Sequence, residues 1–220
     1  MMFYRLRTIV LTNWIGVLVM AQTTTDLVFP RGSDLKIPAG EKKIFVALGK
    51  GFQLYKCAAA PGGTALTWTS AGASADLFDL TGVPSPEKIP DELMRGGRST
   101  AARPILGDGG FKNVGKHFFT QAGGNSGKPH PVFVVQGQTM NAGKVASTPS
   151  PGKPERNADW LQLKVTPATG FAKSIFRTST RGGQLAKVPC TQEDTKLTKP
   201  REVPYAALVS HCQYKKEYEL

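Results

Sequence analysis

The residues best suited to hold a metal ion are the three histidines of the chain, His117, His130 and His211. Imidazole is a common metal ligand, and histidines on separate strands can meet where a sheet brings them together. Their spacing matches no known ligand motif, and no C-x-x-C or H-x-x-x-H pair accompanies them. A strand histidine is more often hydrogen-bonded in or near the core. Metal binding therefore stays open, with His117 as the residue on which a metal-assisted or hydrolytic enzyme would depend.

The chain shows no clear catalytic constellation for hydrolysis. It lacks the G-x-S-x-G motif of a serine nucleophile. Asp76 and Asp79 are three residues apart, so on a strand their carboxylates point to opposite faces. The adjacent His211 and Cys212 are separated for the same reason. The sequence therefore favours a non-catalytic protein, and it assigns neither catalytic residues nor a cofactor.

Aromatic side chains provide a simpler chemistry, because their faces stack on sugar rings. Trp68 lies close to a glycine-rich turn and is expected to be exposed, whereas Trp160 is expected to lie in the core. Aromatic residues in strands are usually buried, which is the alternative for each of them. We take Trp68, Tyr205 and His117 as the candidate ligand-binding residues. A small-molecule binder with its ligand inside a barrel is a further possibility.

The chain is basic, with a formal net charge of +12. Its Lys and Arg residues are scattered, as in Lys42-Lys43 and Arg177 with Arg181, without a basic helix or an arginine-rich run. This distribution argues against nucleic acid and favours a polysaccharide or another anionic cell surface as the partner. The alternative is a charge that only keeps the protein soluble.

The first 21 residues have the three parts of an export signal. Arg5 and Arg7 precede an uncharged apolar stretch at residues 8–20, and Ala21 ends a plausible cleavage site. The stretch is shorter than the roughly 20 residues that span a bilayer. We therefore predict a signal peptide at residues 1–21 and a single β-rich secreted domain at residues 22–220. The protein would be extracellular or at the cell surface, without stable membrane insertion.

Export implies an oxidising environment, in which one disulfide is expected among the three cysteines. Cys57 and Cys190 both lie at the edges of predicted strands, and this pairing is favoured. Cys212 lies within the last predicted strand, where a buried free thiol is common. Three cysteines allow three different single bridges, and a fully reduced protein is the remaining alternative.

Alternation of apolar and polar residues with a period of two recurs along the chain and predicts strands. The candidate strands are residues 43–48, 52–58, 65–70, 75–80, 116–121, 132–136, 143–147, 160–166, 173–180 and 205–214. Glycine-rich segments such as Gly49-Lys50-Gly51 are interpreted as turns between them. No segment has a sustained helical period. The sequence therefore predicts an all-β domain, a single antiparallel β-sandwich or barrel with long loops.

Two segments interrupt the strands. Residues 83–110 contain several prolines and glycines, and they are predicted to form a long, partly mobile loop or insertion with a short helical turn at residues 91–94. Residues 147–157 form a second proline-rich connector, which is expected to be extended and exposed.

Several fragments, in order along residues 45–215, resemble a known family. They are residues 52–57 (FQLYKC), Trp68 with 75–79 (ADLFD), Gly82, residues 115–119 (GKHFF), 159–163 (DWLQL), 175–190 (IFRTSTRGGQLAKVPC) and 203–206 (VPYA). The family they resemble is DUF3455, a secreted domain of unknown function found in fungi and bacteria.

The resemblance implies a secreted β domain with a bridge between Cys57 and Cys190, and it implies no catalytic residues. Some fungal members carry the label malate dehydrogenase, which would require a dinucleotide-binding fold. The nearest match, Gly49-Lys50-Gly51, lacks the third glycine and a following helix, so the label is not supported by this chain. Residues 83–110 and Cys212 depart from the family pattern.

Overall fold

The computed structural model describes residues 26–60, 62–95, 110–120, 129–166, 170–185 and 189–214. The predicted signal peptide lies outside the described residues, as do residues 96–109 of the predicted long loop. Within the described part of the chain, no helix is long and apolar enough to cross a membrane.

In the described part of the chain, eight antiparallel strands form one sheet that closes into a barrel. Each strand pairs with the next along the chain, and the last pairs with the first. The strands are β1 (Glu41–Ala59), β2 (Leu66–Asp79), β3 (Asn113–Thr120), β4 (His130–Val135), β5 (Gln138–Thr148), β6 (Trp160–Val165), β7 (Ser174–Gly182) and β8 (Arg201–Tyr214). The predicted all-β antiparallel fold is thus confirmed, in the form of a barrel.

The predicted turn at Gly49-Lys50-Gly51 is wrong, because these residues lie inside β1. A Cβ atom on Gly51 would lie 2.0 Å from the carbonyl oxygen of Ser74 in β2. The glycine therefore allows two backbones to approach closely within the sheet. Residues 43–48 and 52–58, predicted as separate strands, are one strand, and β2 likewise joins the predicted strands at 65–70 and 75–80.

One end of the barrel interior is filled by apolar side chains. The buried members are Ala47, Leu77, Phe133, Val135, Met140, Ala142, Leu163, Val165, Ala172, Ile175 and Val209, with Phe45, Val114, Leu161 and Phe171 packed against them. His211 lies among the aromatic rings at this end, with ring centroids 5.4 Å from Phe45 and 5.2 Å from Phe171. This packed end closes the barrel.

A short helix covers part of the outside of the barrel. The chain after β2 forms a 3₁₀ turn (Pro86–Lys88) and then α1 (Ile89–Arg95). Leu93 of α1 packs into a second apolar cluster with Leu48, Leu80 and Leu208. The predicted helical turn at residues 91–94 is confirmed within α1. A salt bridge of 2.8 Å between Asp91 and Arg181 also ties α1 to β7.

The disulfide joins Cys57 of β1 to Cys190, in the segment between β7 and β8. Cys212 is a buried free thiol in β8. Both findings confirm the favoured assignment. Burial raises the pKa of Cys212 to about 12, so this thiol is uncharged and unreactive at neutral pH.

Candidate functional site

The other end of the barrel holds an open cavity of about 490 Å³. Its apolar wall consists of Phe119, Phe133, Ala142, Leu161, Leu163, Ile175 and Val209, and its polar groups come mainly from Gln53, Tyr55, His117, Lys144, Asp159, Arg177 and Tyr205. An eight-stranded barrel is wide enough to hold one small ligand. The volume and the mostly apolar wall with few polar groups are typical of small-molecule sites.

Arg177 is the central charged group of this cavity. It lies two residues after Ile175 on β7, so both side chains point into the barrel. Its Nε and Nη2 atoms donate hydrogen bonds of 3.1 and 2.8 Å to the backbone carbonyl oxygen of Asp159. The guanidinium also lies 5.9 Å from the centre of the Tyr205 ring, within the range of a cation–π interaction.

Hydrogen bonds to β7 hold the segment before β6 in place, and this segment carries the Asp159 carbonyl that accepts from Arg177. The side-chain oxygen of Asn157 accepts a hydrogen bond of 2.9 Å from the backbone N–H of Gly182. Thr180 donates from its hydroxyl to the carbonyl oxygen of Ala158. These bonds attach the segment before Trp160 to β7 itself, so the Asp159 carbonyl is held beside Arg177.

Among the described residues, no carboxylate forms an ion pair with the guanidinium of Arg177. The barrel wall surrounds the guanidinium, although the cavity leaves it partly accessible. Burial lowers the pKa of Arg177, and attraction to Tyr205, Asp159 and Tyr55 offsets part of this effect. Because an arginine stays protonated in proteins, the cavity contains a permanent positive charge.

His117, a predicted ligand-binding residue, does line the cavity. Its Nδ1 atom lies 2.9 Å from the carbonyl oxygen of Val132, so Nδ1 carries the proton and donates. Its ring stacks on Phe133 with centroids 4.2 Å apart. Burial, helped by the charge of Arg177, lowers the pKa of His117 to about 4. At neutral pH His117 is therefore an uncharged ring in the wall, with Nε2 as a hydrogen-bond acceptor.

Tyr205, the second predicted residue, is only 2% exposed and also lines the cavity. Tyr55 lies nearby and donates a hydrogen bond of 2.8 Å from its hydroxyl to the carbonyl oxygen of Gly183. Gln53 is 7% exposed, and its Nε2 atom forms no well-oriented hydrogen bond with the described residues, although its side chain interacts with the Tyr205 hydroxyl and offsets part of the rise that burial causes in the pKa of Tyr205. A poorly satisfied buried donor is costly, so Gln53 is a second polar group that a ligand can satisfy.

The remaining candidate residues, apart from His130, lie outside the cavity. Trp68 does not line the cavity: it pairs with Cys57 beside the disulfide and is half-buried under the guanidinium of Arg201, 5.4 Å away. Trp160, expected in the core, is also only half-buried. His130 lies at the cavity in contact with Thr120, and His211 lies in the packed end. No group of three metal-ligating side chains occurs in the described part of the chain.

Arg177 was not among the residues selected from the sequence, where it counted only as one of the scattered basic residues. The signal that identifies it is its phase on β7, because alternation places it on the same face as the buried Ile175. An arginine on the inner face of a strand contradicts the usual pattern, and such contradictions tend to mark functional positions.

Comparison with known families supports the resemblance found in the sequence. A family model described as "Protein of unknown function (DUF3455)" matches residues 38–209, which include all eight strands in whole or in large part. No curated protein and no solved structure matches the chain.

Proposed function

We propose that this chain, which belongs to the DUF3455 family, is a non-catalytic extracellular protein that binds a small, largely apolar molecule inside its barrel. The observation that carries the proposal is the cavity of about 490 Å³. Protein interiors are normally packed to a density that leaves few voids larger than a water molecule. An open space of this size at one end of an otherwise packed barrel suits a ligand.

The wall chemistry supports binding rather than catalysis. Phe133, Leu163 and Ile175 supply apolar surface, and burying this surface under a ligand is favourable by roughly 25 cal/mol per Å². The alternative is a metal-assisted or hydrolytic enzyme that uses His117. It has less support, because within the described part of the chain His117 is not joined by two further metal-ligating side chains in one group.

The test is titration of the mature protein, beginning at Gln22, with the neutral fluorescent probe N-phenyl-1-naphthylamine. Ala142→Phe places a ring in the cavity, and we expect the probe to bind at least about tenfold more weakly. The matched control is Thr139→Phe, which adds the same ring on an exposed position of the same strand.

The proposal is wrong if the wild-type protein does not bind the probe, or if both variants bind it as tightly as the wild type. Thermal unfolding of each variant shows whether the barrel is intact. If Ala142→Phe does not fold, Ala142→Leu fills less of the space and should weaken binding to a smaller extent.

A polysaccharide or another anionic surface is the second candidate partner. It is supported by the net charge of +12 and by a small pocket that Lys56, Lys199 and Trp68 line together with Asp194. Retention on one glycan resin at high salt would support specific recognition. Retention on all resins at low salt only would show that charge alone acts, because salt screens exposed charges.

A further inference from the structure

We infer that the ligand of the barrel is a carboxylate with an apolar body, and that Arg177 is the residue that binds its anionic end. This inference rests on the proposed function and specifies the class of ligand. It follows from the charge of the cavity, from the free edge of the guanidinium and from the arrangement of apolar surface below it.

Arg177 has no ion-pair partner in the part of the chain that the structure describes. Charged side chains inside proteins are normally paired, because moving a charge out of water is expensive. The direct contacts of the guanidinium among the described residues are a backbone carbonyl and the face of an aromatic ring. The carboxylate of Asp159 in the cavity wall attracts the guanidinium, but it forms no ion pair with it. An anionic ligand would supply the missing partner.

One edge of the Arg177 guanidinium keeps its hydrogen-bond donors unused among the described residues. The hydrogen bonds to the Asp159 carbonyl occupy the edge of the guanidinium formed by Nε and Nη2. The other edge, formed by Nη1 and Nη2, has no hydrogen-bond partner among the described side chains and backbone groups. Two parallel N–H groups on one edge match the two oxygens of a carboxylate, which is the strongest pairing an arginine makes.

The cavity changes from charged to apolar along the barrel axis, toward the packed end. Ile175 precedes Arg177 by two residues on β7, and Val209 lies opposite Arg177 in the β7–β8 register. Both belong to the apolar cluster that closes the barrel. An apolar ligand body can therefore pack toward Ile175 and Val209 while its carboxylate remains at Arg177. Lys144, at the exposed part of the cavity wall, adds a second positive charge to the cavity. The carboxylate of Asp159 adds a negative charge to the same wall.

The experiment compares three ligands of equal chain length, decanoate, decanol and decanamide, as competitors of the neutral probe at pH 7.5. Charge-assisted hydrogen bonds favour a charged ligand by about 10- to 100-fold over a neutral one. We expect the wild-type protein to prefer decanoate by this factor. Arg177→Met should abolish the preference while probe and decanol still bind.

The matched control is Lys164→Met, which removes one positive charge from the outer face of β6. It should keep the preference for decanoate, because the lost charge does not face the cavity. Asp159→Asn retains the carbonyl that orients Arg177 and removes the opposing carboxylate, so decanoate should bind more tightly to this variant.

The outcomes separate the two proposals. If the probe binds but the wild type binds all three competitors equally, the inference about Arg177 is wrong and cavity binding stands. If neither the probe nor any competitor binds, the proposed function itself is wrong. Because the comparison of ligands uses the wild-type protein, the inference stays testable even if Arg177→Met fails to fold.

Discussion

Acidification should destabilise this protein well above the pH at which most carboxylates are protonated, because two histidines are buried in the uncharged form. Burial lowers the pKa of His117 to about 4 and that of His211 to about 3, from an ordinary value of 6.5. His117 lies in the cavity wall and His211 lies among the rings of the packed end. Both side chains must gain a proton when the chain unfolds in acid.

The sign follows from the direction of the pKa shifts. A folded pKa below the unfolded value means that the unfolded chain binds more protons, so stability is present in full above pH 6.5 and is lost as the pH falls. The loss continues until the pH reaches the folded values of about 4 for His117 and about 3 for His211. At pH 5 each histidine should lower the free energy of unfolding by about 2 kcal/mol relative to neutral pH, or by about 4 kcal/mol together. That is a large fraction of the roughly 5–15 kcal/mol by which domains are usually stable.

The measurement is urea unfolding of the wild type and of His211→Phe at several pH values between 7.5 and 5. Phenylalanine suits this position, because the ring of His211 packs against Phe45, Phe133 and Phe171. Neither ring nitrogen of His211 forms a well-oriented hydrogen bond with the described residues. Burial lowers the pKa of His211, and an interaction with the Val209 backbone offsets part of that decrease. Between pH 7.5 and 5, the free energy of unfolding of the variant should fall by about 2 kcal/mol less than that of the wild type.

The comparison of the two proteins isolates His211, because both contain the same carboxylates. Phe45→Leu is the control for altered packing in the same cluster, and it should lower the free energy of unfolding by a similar amount at every pH. If His211→Phe and the wild type lose equal stability on acidification, His211 is hydrated in the folded protein and the argument from burial fails.

Two further predictions concern the framework that holds the cavity. Removing the disulfide with Cys57→Ser and Cys190→Ser should lower the free energy of unfolding by about 5 kcal/mol on chain entropy, because the bridge closes a sequence separation of 133 residues; equal urea midpoints with and without the bridge would contradict this. Gly51→Ala should destabilise the barrel by several kcal/mol, on the order of a severe core substitution, because its Cβ would overlap the backbone of Ser74; unchanged thermal unfolding would show that the two strands can separate freely.

The strands of this barrel were largely readable from the sequence, because period-two alternation is a local property. The errors came from glycine. Gly51 resembles a turn signal in the sequence. In the structure a glycine is needed there because the backbone of β1 lies very close to that of β2, in a contact between residues more than twenty positions apart. The closure of the sheet was not readable for a similar reason, since a sandwich and a barrel differ here in the pairing of β1 with β8, the two ends of the described sheet.

The site was readable only in part. His117 was selected as a histidine that could bind a metal or a ligand and Tyr205 as an aromatic residue on a strand, and both line the cavity. Trp68 met the same criterion as Tyr205 but lies beside the disulfide, outside that cavity. Sequence alternation tells on which face a side chain lies, and it does not tell how far along the barrel axis the strand has shifted relative to its neighbours. The stagger of the strands decides which inward residues meet.

The cavity and the packed end are made by the same strands, and the difference between them lies in which inward residues are large and apolar. On β8 the inward side chains run from Tyr205 near the mouth to His211 in the packed end, and on β7 they run from Arg177 to Ile175 in the same direction. Two residues along a strand span roughly 7 Å, so the charge lies directly above an apolar floor. If this position served only the stability of the core, an apolar side chain would stand in place of Arg177 and continue the apolar surface below it. Retaining a charged group there costs stability unless something binds to it, and this cost is the physical reason to look for an anionic ligand in this barrel.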